Sequence, residues 1–131
     1  MNILIKYMNI LFIILTLILI IYIYHIWVKY IYGSVHLISS NNAKELLTNN
    51  KFEYVIDVRT KFEYKLGHVK GSINIPINNI KEIVPKVIKN KFAKILIYCK
   101  SGNRARQATN YLIKMGYTNV NYISELYTTL Q

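Results

Sequence analysis

From Tyr7 to Val28 the chain is apolar at nearly every position and carries no formal charge, with His25 taken as neutral. Apolar residues occupy every side of a helix built from this run, and about 22 residues suffice to cross a hydrocarbon core of about 30 Å. Lys6 and Lys29 bracket the run, and Tyr22, Tyr24, Trp27, Tyr30 and Tyr32 crowd its C-terminal end. Amphipathic rings favour the headgroup region, which puts the exit near Trp27. A buried helix of this kind would need a core larger than the rest of the chain can build. A cleaved signal peptide would have a shorter apolar stretch and a small-x-small site, which Gly33-Ser34 does not supply. The pattern therefore predicts a single-pass membrane anchor over residues 1–32, held in a lipid bilayer. The N-terminus and Lys6 nearly balance Lys29 and Lys44, and the positive-inside count leans toward a cytoplasmic C-terminal domain.

Past that run the pattern changes to short apolar stretches between polar ones, and residues 33–131 read as one domain. Val35-His36-Leu37-Ile38 is β-prone, and Ser39-Ser40-Asn41 offers N-caps to a short helix through Ala43, Leu46 and Leu47, ended by Asn49-Asn50. Tyr54 to Val58 and Lys94 to Tyr98 are nearly continuous apolar runs, the pattern of parallel strands buried on both faces, and are expected at the centre of a sheet. Ser72 to Ile75 is a weaker strand. Ile77, Ile80, Ile83, Val84 and Val87 recur at helical spacing, with Pro85 expected to kink or break that helix. Ala105, Ala108, Leu112 and Met115 form one apolar stripe of a helix that Gly116 caps. Val120 to Ile123 closes the sheet as a fifth strand, and strands alternating with helices imply an α/β fold with a parallel sheet.

Charge and cysteine content narrow the chemistry. With 131 residues there is no room for a two-domain enzyme. One cysteine excludes an internal disulfide and a thiolate metal cluster, and neither a metal nor a cofactor is expected. The formal net charge of +11 suits a nucleic acid, an anionic lipid surface or a small anionic substrate alike. Lys81, Lys86, Lys89, Lys91 and Lys94 cluster in sequence without interleaved aromatics or a groove-reading motif, so nucleic acid is not an expected partner.

Candidate chemistry concentrates after the most apolar strand, at Cys99-Lys100-Ser101-Gly102-Asn103-Arg104. The end of a central parallel strand and the start of a helix is where α/β folds bind ligands, and a helix N-terminus favours an anion. Backbone N–H groups of a short glycine-containing loop can turn inward as a nest. Lys100 and Arg104 add two cations close in sequence to the sulfur. All three features favour Cys99 as an anionic nucleophile over a small buried hydrophobe.

This loop, preceded by Asp57-Val58-Arg59-Thr60-Lys61-Phe62-Glu63-Tyr64 and by Gly67-His68-Val69-Lys70-Gly71-Ser72-Ile73-Asn74-Ile75-Pro76, resembles a single-domain rhodanese from about Ser34 to Ile123. The resemblance implies a rhodanese-like five-stranded parallel sheet and a sulfurtransferase whose cysteine carries sulfur as a persulfide. It implies an anionic sulfur donor such as thiosulfate, and cyanide, an external thiol or a sulfur-acceptor protein as acceptor. By motif, Cys99 is the catalytic sulfur carrier, the amides of Lys100, Ser101, Gly102, Asn103 and Arg104 cradle the persulfide, and the Lys100 and Arg104 side chains attract the donor. Many family members have a Gly-Gly turn and an aromatic helix after the last strand, where this chain has Ser124-Glu125-Leu126-Tyr127. Asp57, Arg59, Glu63 and His68 are expected to support the site from outside: Asp57 as a turn cap, Arg59 and Glu63 as an ion pair four residues apart, His68 as part of a turn. Cysteine phosphatases use a C-x5-R loop, one residue longer than Cys99 to Arg104, and the shorter nest should suit sulfur better than the oxygens of phosphate. A membrane-tethered rhodanese-like module that binds a partner without catalysis is the alternative.

Overall fold

The computed structural model describes residues 2–131, apart from the side chains of residues 29–35, so the expected interfacial positions of Tyr30 and Tyr32 lie outside the described residues. Internal contacts divide the chain into two units, residues 1–35 and residues 36–131. The first is a single helix, α1 (Asn2–Val35). Over Asn2–Val28 its mean hydropathy is 2.6 and nearly all of its side chains are exposed, so by length and composition this segment is able to cross a membrane. Thr16 Oγ1 donates to the Ile13 carbonyl at 2.8 Å, which satisfies that hydroxyl within the helix.

The second unit contains α2 (Ser40–Thr48), β1 (Tyr54–Asp57), α3 (Lys61–Leu66), β2 (Ile73–Asn74), α4 (Ile80–Val87), β3 (Ile95–Tyr98), α5 (Asn103–Lys114) and β4 (Val120–Tyr122), with short 3-10 turns at Ile77–Asn79 and Tyr127–Leu130. Among the described residues the strands form one four-stranded parallel sheet in the order β2-β1-β3-β4. The two apolar runs are its central strands, as their patterning predicts. β1 and β3 are registered from Tyr54 opposite Ile95 to Asp57 opposite Tyr98.

The strand expected at residues 35–38 is absent, which corrects the count from five to four. Val35 still belongs to α1 and Ser39 already caps α2, leaving His36 to Ile38 too short for a ladder. What remains is one parallel bridge between Leu37 and Tyr122, with the Ile38 N–H donating to the Tyr122 carbonyl at 3.0 Å and the Tyr122 N–H to the His36 carbonyl at 2.8 Å.

Side-chain alternation along β3 divides the core between two faces. Ile95, Ile97 and Cys99 join Ile80 and Val84 of α4 and Ala105, Ala108 and Leu112 of α5, whereas Leu96 and Tyr98 join Ala43 of α2, Ile123 and Leu130. Helix α4 runs through Pro85 to Val87 rather than ending there. Helix α5 ends where Gly116 predicts: its N–H donates to Ile113 and that of Tyr117 to Leu112, the paired bonds of a Schellman ending, with Gly116 at φ +91°.

Candidate active site

The order β2-β1-β3-β4 makes the carboxyl ends of β1 and β3 a switch point, because the chain leaves β1 toward one edge and β3 toward the other. Crevices at such points are where open α/β sheets place their ligands. Two motif segments meet here, since Asp57 ends β1 and Cys99 follows β3 directly.

Cys99 is 1% exposed. Its sulfur accepts the Gly102 N–H at 3.0 Å, so the loop turns back on the side chain before entering α5. That turn uses Gly102 at φ +87°, a conformation that favours glycine, and a Cβ there would lie 2.6 Å from Ser124 Cα. Lys100, Ser101 and Asn103 are exposed, and Arg104 is partly buried. The segment after β4, whose sequence departs from the family pattern, thus packs directly behind the loop. Gly102→Ala should cost about 3 kcal/mol or more, against about 1 kcal/mol for Gly116→Ala, where φ is +91° but nothing lies within 4 Å of the added methyl. Urea melts followed by near-ultraviolet tyrosine dichroism compare them; equal losses would mean the Ser124 contact yields freely.

Arg104 and Glu63 form a two-pronged pair, Nη1 to Oε2 at 2.7 Å and Nη2 to Oε1 at 2.8 Å. Glu63 also closes a capping box on α3: its Oε2 accepts the Thr60 N–H at 2.9 Å, and its own N–H donates to Thr60 Oγ1 at 3.2 Å. The Arg104 hydrogen bonds hold the Glu63 carboxyl down to about 2 against the opposing effect of burial, with Thr60 assisting. Glu63 in turn raises the Arg104 guanidinium, to which the Cys99 side chain adds. A lowered carboxylate stabilises fully above its unfolded value near 4.5 and loses that contribution as pH falls toward about 2. Wild type should therefore exceed Glu63→Gln in stability by about 1–2 kcal/mol at neutral pH, with the gap closing across that acid range. Urea melts at stepped pH measure it, and a gap independent of pH would refute the assignment to this carboxylate.

Arg59 is not the partner of Glu63, which corrects the expected pair. Its shorter-range partner is Asp57, and both are buried, at 3% and 0% exposure. Arg59 Nε donates to both Asp57 oxygens at 3.0 Å, and Nη2 to Oδ2 at 2.6 Å and to the Gly67 carbonyl at 2.6 Å. Asp57 Oδ1 also accepts the Arg59 N–H at 2.9 Å, so the carboxylate turns the chain as expected while it holds the guanidinium. Burial pulls Arg59 down, but hydrogen bonds and charge from Asp57, with Tyr127, raise it overall.

His68 is exposed, stacked on Tyr64 with ring centroids 3.8 Å apart, and its Nδ1 bonds the Tyr64 carbonyl at 3.0 Å. It lies in the connection between α3 and the turn at residues 70–71. Tyr98, Ser72 and Tyr127 were not singled out in the sequence. The buried Tyr98 hydroxyl accepts the Val69 N–H at 3.0 Å and bonds Ser72 Oγ at 3.0 Å, pinning the Gly67 to Ser72 turn to β3. Burial raises the Tyr98 phenol to about 12 against these bonds. The Tyr127 ring lies 3.9 Å from the Arg59 guanidinium carbon and stacks on Tyr98 at 5.9 Å. A tyrosine ending the most apolar strand, next to the cysteine, was the available signal for Tyr98. Four of the five clustered lysines have separate partners: Lys81 lies over Tyr111, Lys91 over Tyr117, Lys94 over Phe52, and Lys86 pairs with Glu82.

The chain is similar to several known proteins. Thiosulfate sulfurtransferase PspE of Escherichia coli is 40% identical over 68 residues, covering 52% of this chain and 65% of that protein. A tRNA uridine(34) hydroxylase of Buchnera aphidicola is 33% identical over 87 residues, covering 63% of this chain and 28% of its own length. The solved structure described as "rhodanese with anions from E. coli" superposes with a TM-score of 0.53 at 37% identity, covering 56% of this chain and 86% of that one. The chain thus spans less than two thirds of these two curated relatives. Because the family model for the rhodanese-like domain matches residues 39–127, well over half of its length, the chain belongs to the rhodanese-like domain family.

Proposed function

We propose that this chain is a sulfurtransferase in which Cys99 carries one sulfur atom as a persulfide. The observation that carries the reading is the acceptor role of the Cys99 sulfur toward the Gly102 N–H at 3.0 Å, at the start of α5. In the first step the Cys99 thiolate attacks the outer sulfur of thiosulfate. The sulfur–sulfur bond of the donor breaks, and sulfite leaves with its electron pair. In the second, cyanide or an external thiolate attacks the outer sulfur of the persulfide, and Cys99 departs as thiolate. An external acceptor is required because the chain has no second cysteine. Lys100 to Arg104 supply the amides around the carried sulfur, and Lys100 attracts the donor. Arg104, engaged by both oxygens of Glu63, serves mainly to hold α3 against the loop. That engagement also argues against phosphatase chemistry, in which the arginine must be free to face phosphate.

The reading includes α1 as a single-pass membrane anchor, supported by the length and hydropathy of Asn2–Val28, with the second unit on the cytoplasmic side. Mass spectrometry of the full chain in detergent after thiosulfate treatment tests the chemistry. One added sulfur on the Cys99 peptide, removed by reductant, is expected. An unmodified Cys99 would leave the non-catalytic binding module as the better reading.

A further inference from the structure

A cavity of about 330 Å³ lies beside the cysteine loop and shares Lys100 with it. Leu66 at the end of α3, and Leu126 and Tyr127 of the C-terminal segment, form its apolar walls. Leu66 and Leu126 are 73% and 53% exposed, so the rim of a polar loop carries apolar surface that no other element of the unit covers. The other charged lining residues are neutralised, Arg59 by Asp57 and Glu63 by Arg104. Lys100 has no ion pair among the described residues. The cavity therefore presents one free cation beside an apolar wall. Thiosulfate has no apolar part with which to cover Leu66 and Leu126.

The geometry points to the acceptor as the occupant: an organic thiol with an apolar body and one anionic group that meets Lys100. This assignment rests on the sulfurtransferase reading of Cys99 and narrows the external thiol of that reading to one class. With its body in the cavity, the acceptor thiolate attacks the outer sulfur of the persulfide. A bond forms between the two acceptor-side sulfurs while the bond to Cys99 Sγ breaks. Cys99 keeps the electron pair as thiolate, and the proton of the persulfide stays on the transferred sulfur, so the acceptor leaves as its own persulfide. No outside oxidant or reductant is needed. Leu66 and Leu126 are positioning residues in this scheme, acting on the acceptor step and not on loading.

Full chain in detergent is loaded with thiosulfate, freed of excess, and discharged with cyanide, mercaptoethanol or (mercaptomethyl)benzoate, the last two being alkyl thiols of similar acidity. Loss of the Cys99 persulfide is timed by mass spectrometry. (Mercaptomethyl)benzoate should act about tenfold faster than mercaptoethanol at equal concentration. In the double variant Leu66→Asn, Leu126→Asn, this advantage should disappear while cyanide discharge and tyrosine dichroism stay unchanged. Equal rates for the two thiols in the wild type would overturn the assignment, as would a variant that slows cyanide as much as the aromatic thiol. Failure of the underlying reading looks different: no persulfide forms on Cys99 at all, and the acceptor falls with it.

Discussion

Cys99→Ser should abolish transfer of sulfur from thiosulfate to cyanide while leaving the fold in place. The position is 1% exposed, and the hydrogen bond that the sulfur accepts from the Gly102 N–H is one that a serine oxygen can also accept. The two side chains are close in size, so the loop keeps its turn and stability should change by about 1 kcal/mol or less. Chemistry does not survive the exchange. A serine hydroxyl at neutral pH has almost no anionic form, and the His68 imidazole is engaged elsewhere, stacked on Tyr64 and bonded to its carbonyl. Its oxygen is also a poor leaving group toward an acceptor. A loss of about a thousandfold or more in thiocyanate production is expected. Comparable activity in wild type and Cys99→Ser, at matched tyrosine dichroism, would remove Cys99 from the reaction.

How much of this was legible in the sequence depends on whether a feature was written locally. The central strands were, because parallel strands buried on both faces leave apolar runs with nothing to alternate, as at Ile95 to Tyr98. The helix ends were, because Ser39, Thr60 and Gly116 act on backbone groups within a few residues. The loop after β3 was legible for the same reason. Partner choice was not. Glu63 and Arg59 stand four apart and invite a local pair, yet Glu63 reaches Arg104, brought to it only by the parallel pairing of β1 with β3. The lost first strand is a competition over a boundary: β-prone residues at 35–38 yield to a helix already running and a cap already placed. The C-terminal segment has no family pattern to read, and only the fold reveals that it backs Gly102 and lays Tyr127 on Arg59.

That buried guanidinium sets the largest expected loss of stability. Arg59 remains charged at any ordinary pH, so it cannot escape an apolar site by giving up its proton. In the native protein both Asp57 oxygens neutralise it, and the Gly67 carbonyl and the Tyr127 ring complete its surroundings. Asp57→Ala removes the counter-charge at a position with 0% exposure and leaves those weaker partners alone with a full positive charge. Such an orphaned charge costs about 3–5 kcal/mol, enough to unfold a domain of ordinary stability or hold it near its midpoint. Because Arg59 ties the Gly67 turn and the Tyr127 segment to β1, loss of order should spread to both, visible as faster amide exchange at Val69 and Leu130. The pair is not required for its own energy, however. Replacing both members, Asp57→Leu with Arg59→Met, removes the charge along with its partner and should be less damaging than Asp57→Ala alone. Urea melts of the three proteins decide the point: a single variant within about 1 kcal/mol of wild type would mean that water from the cavity that Arg59 lines, or a repacked side chain, takes the place of the carboxylate.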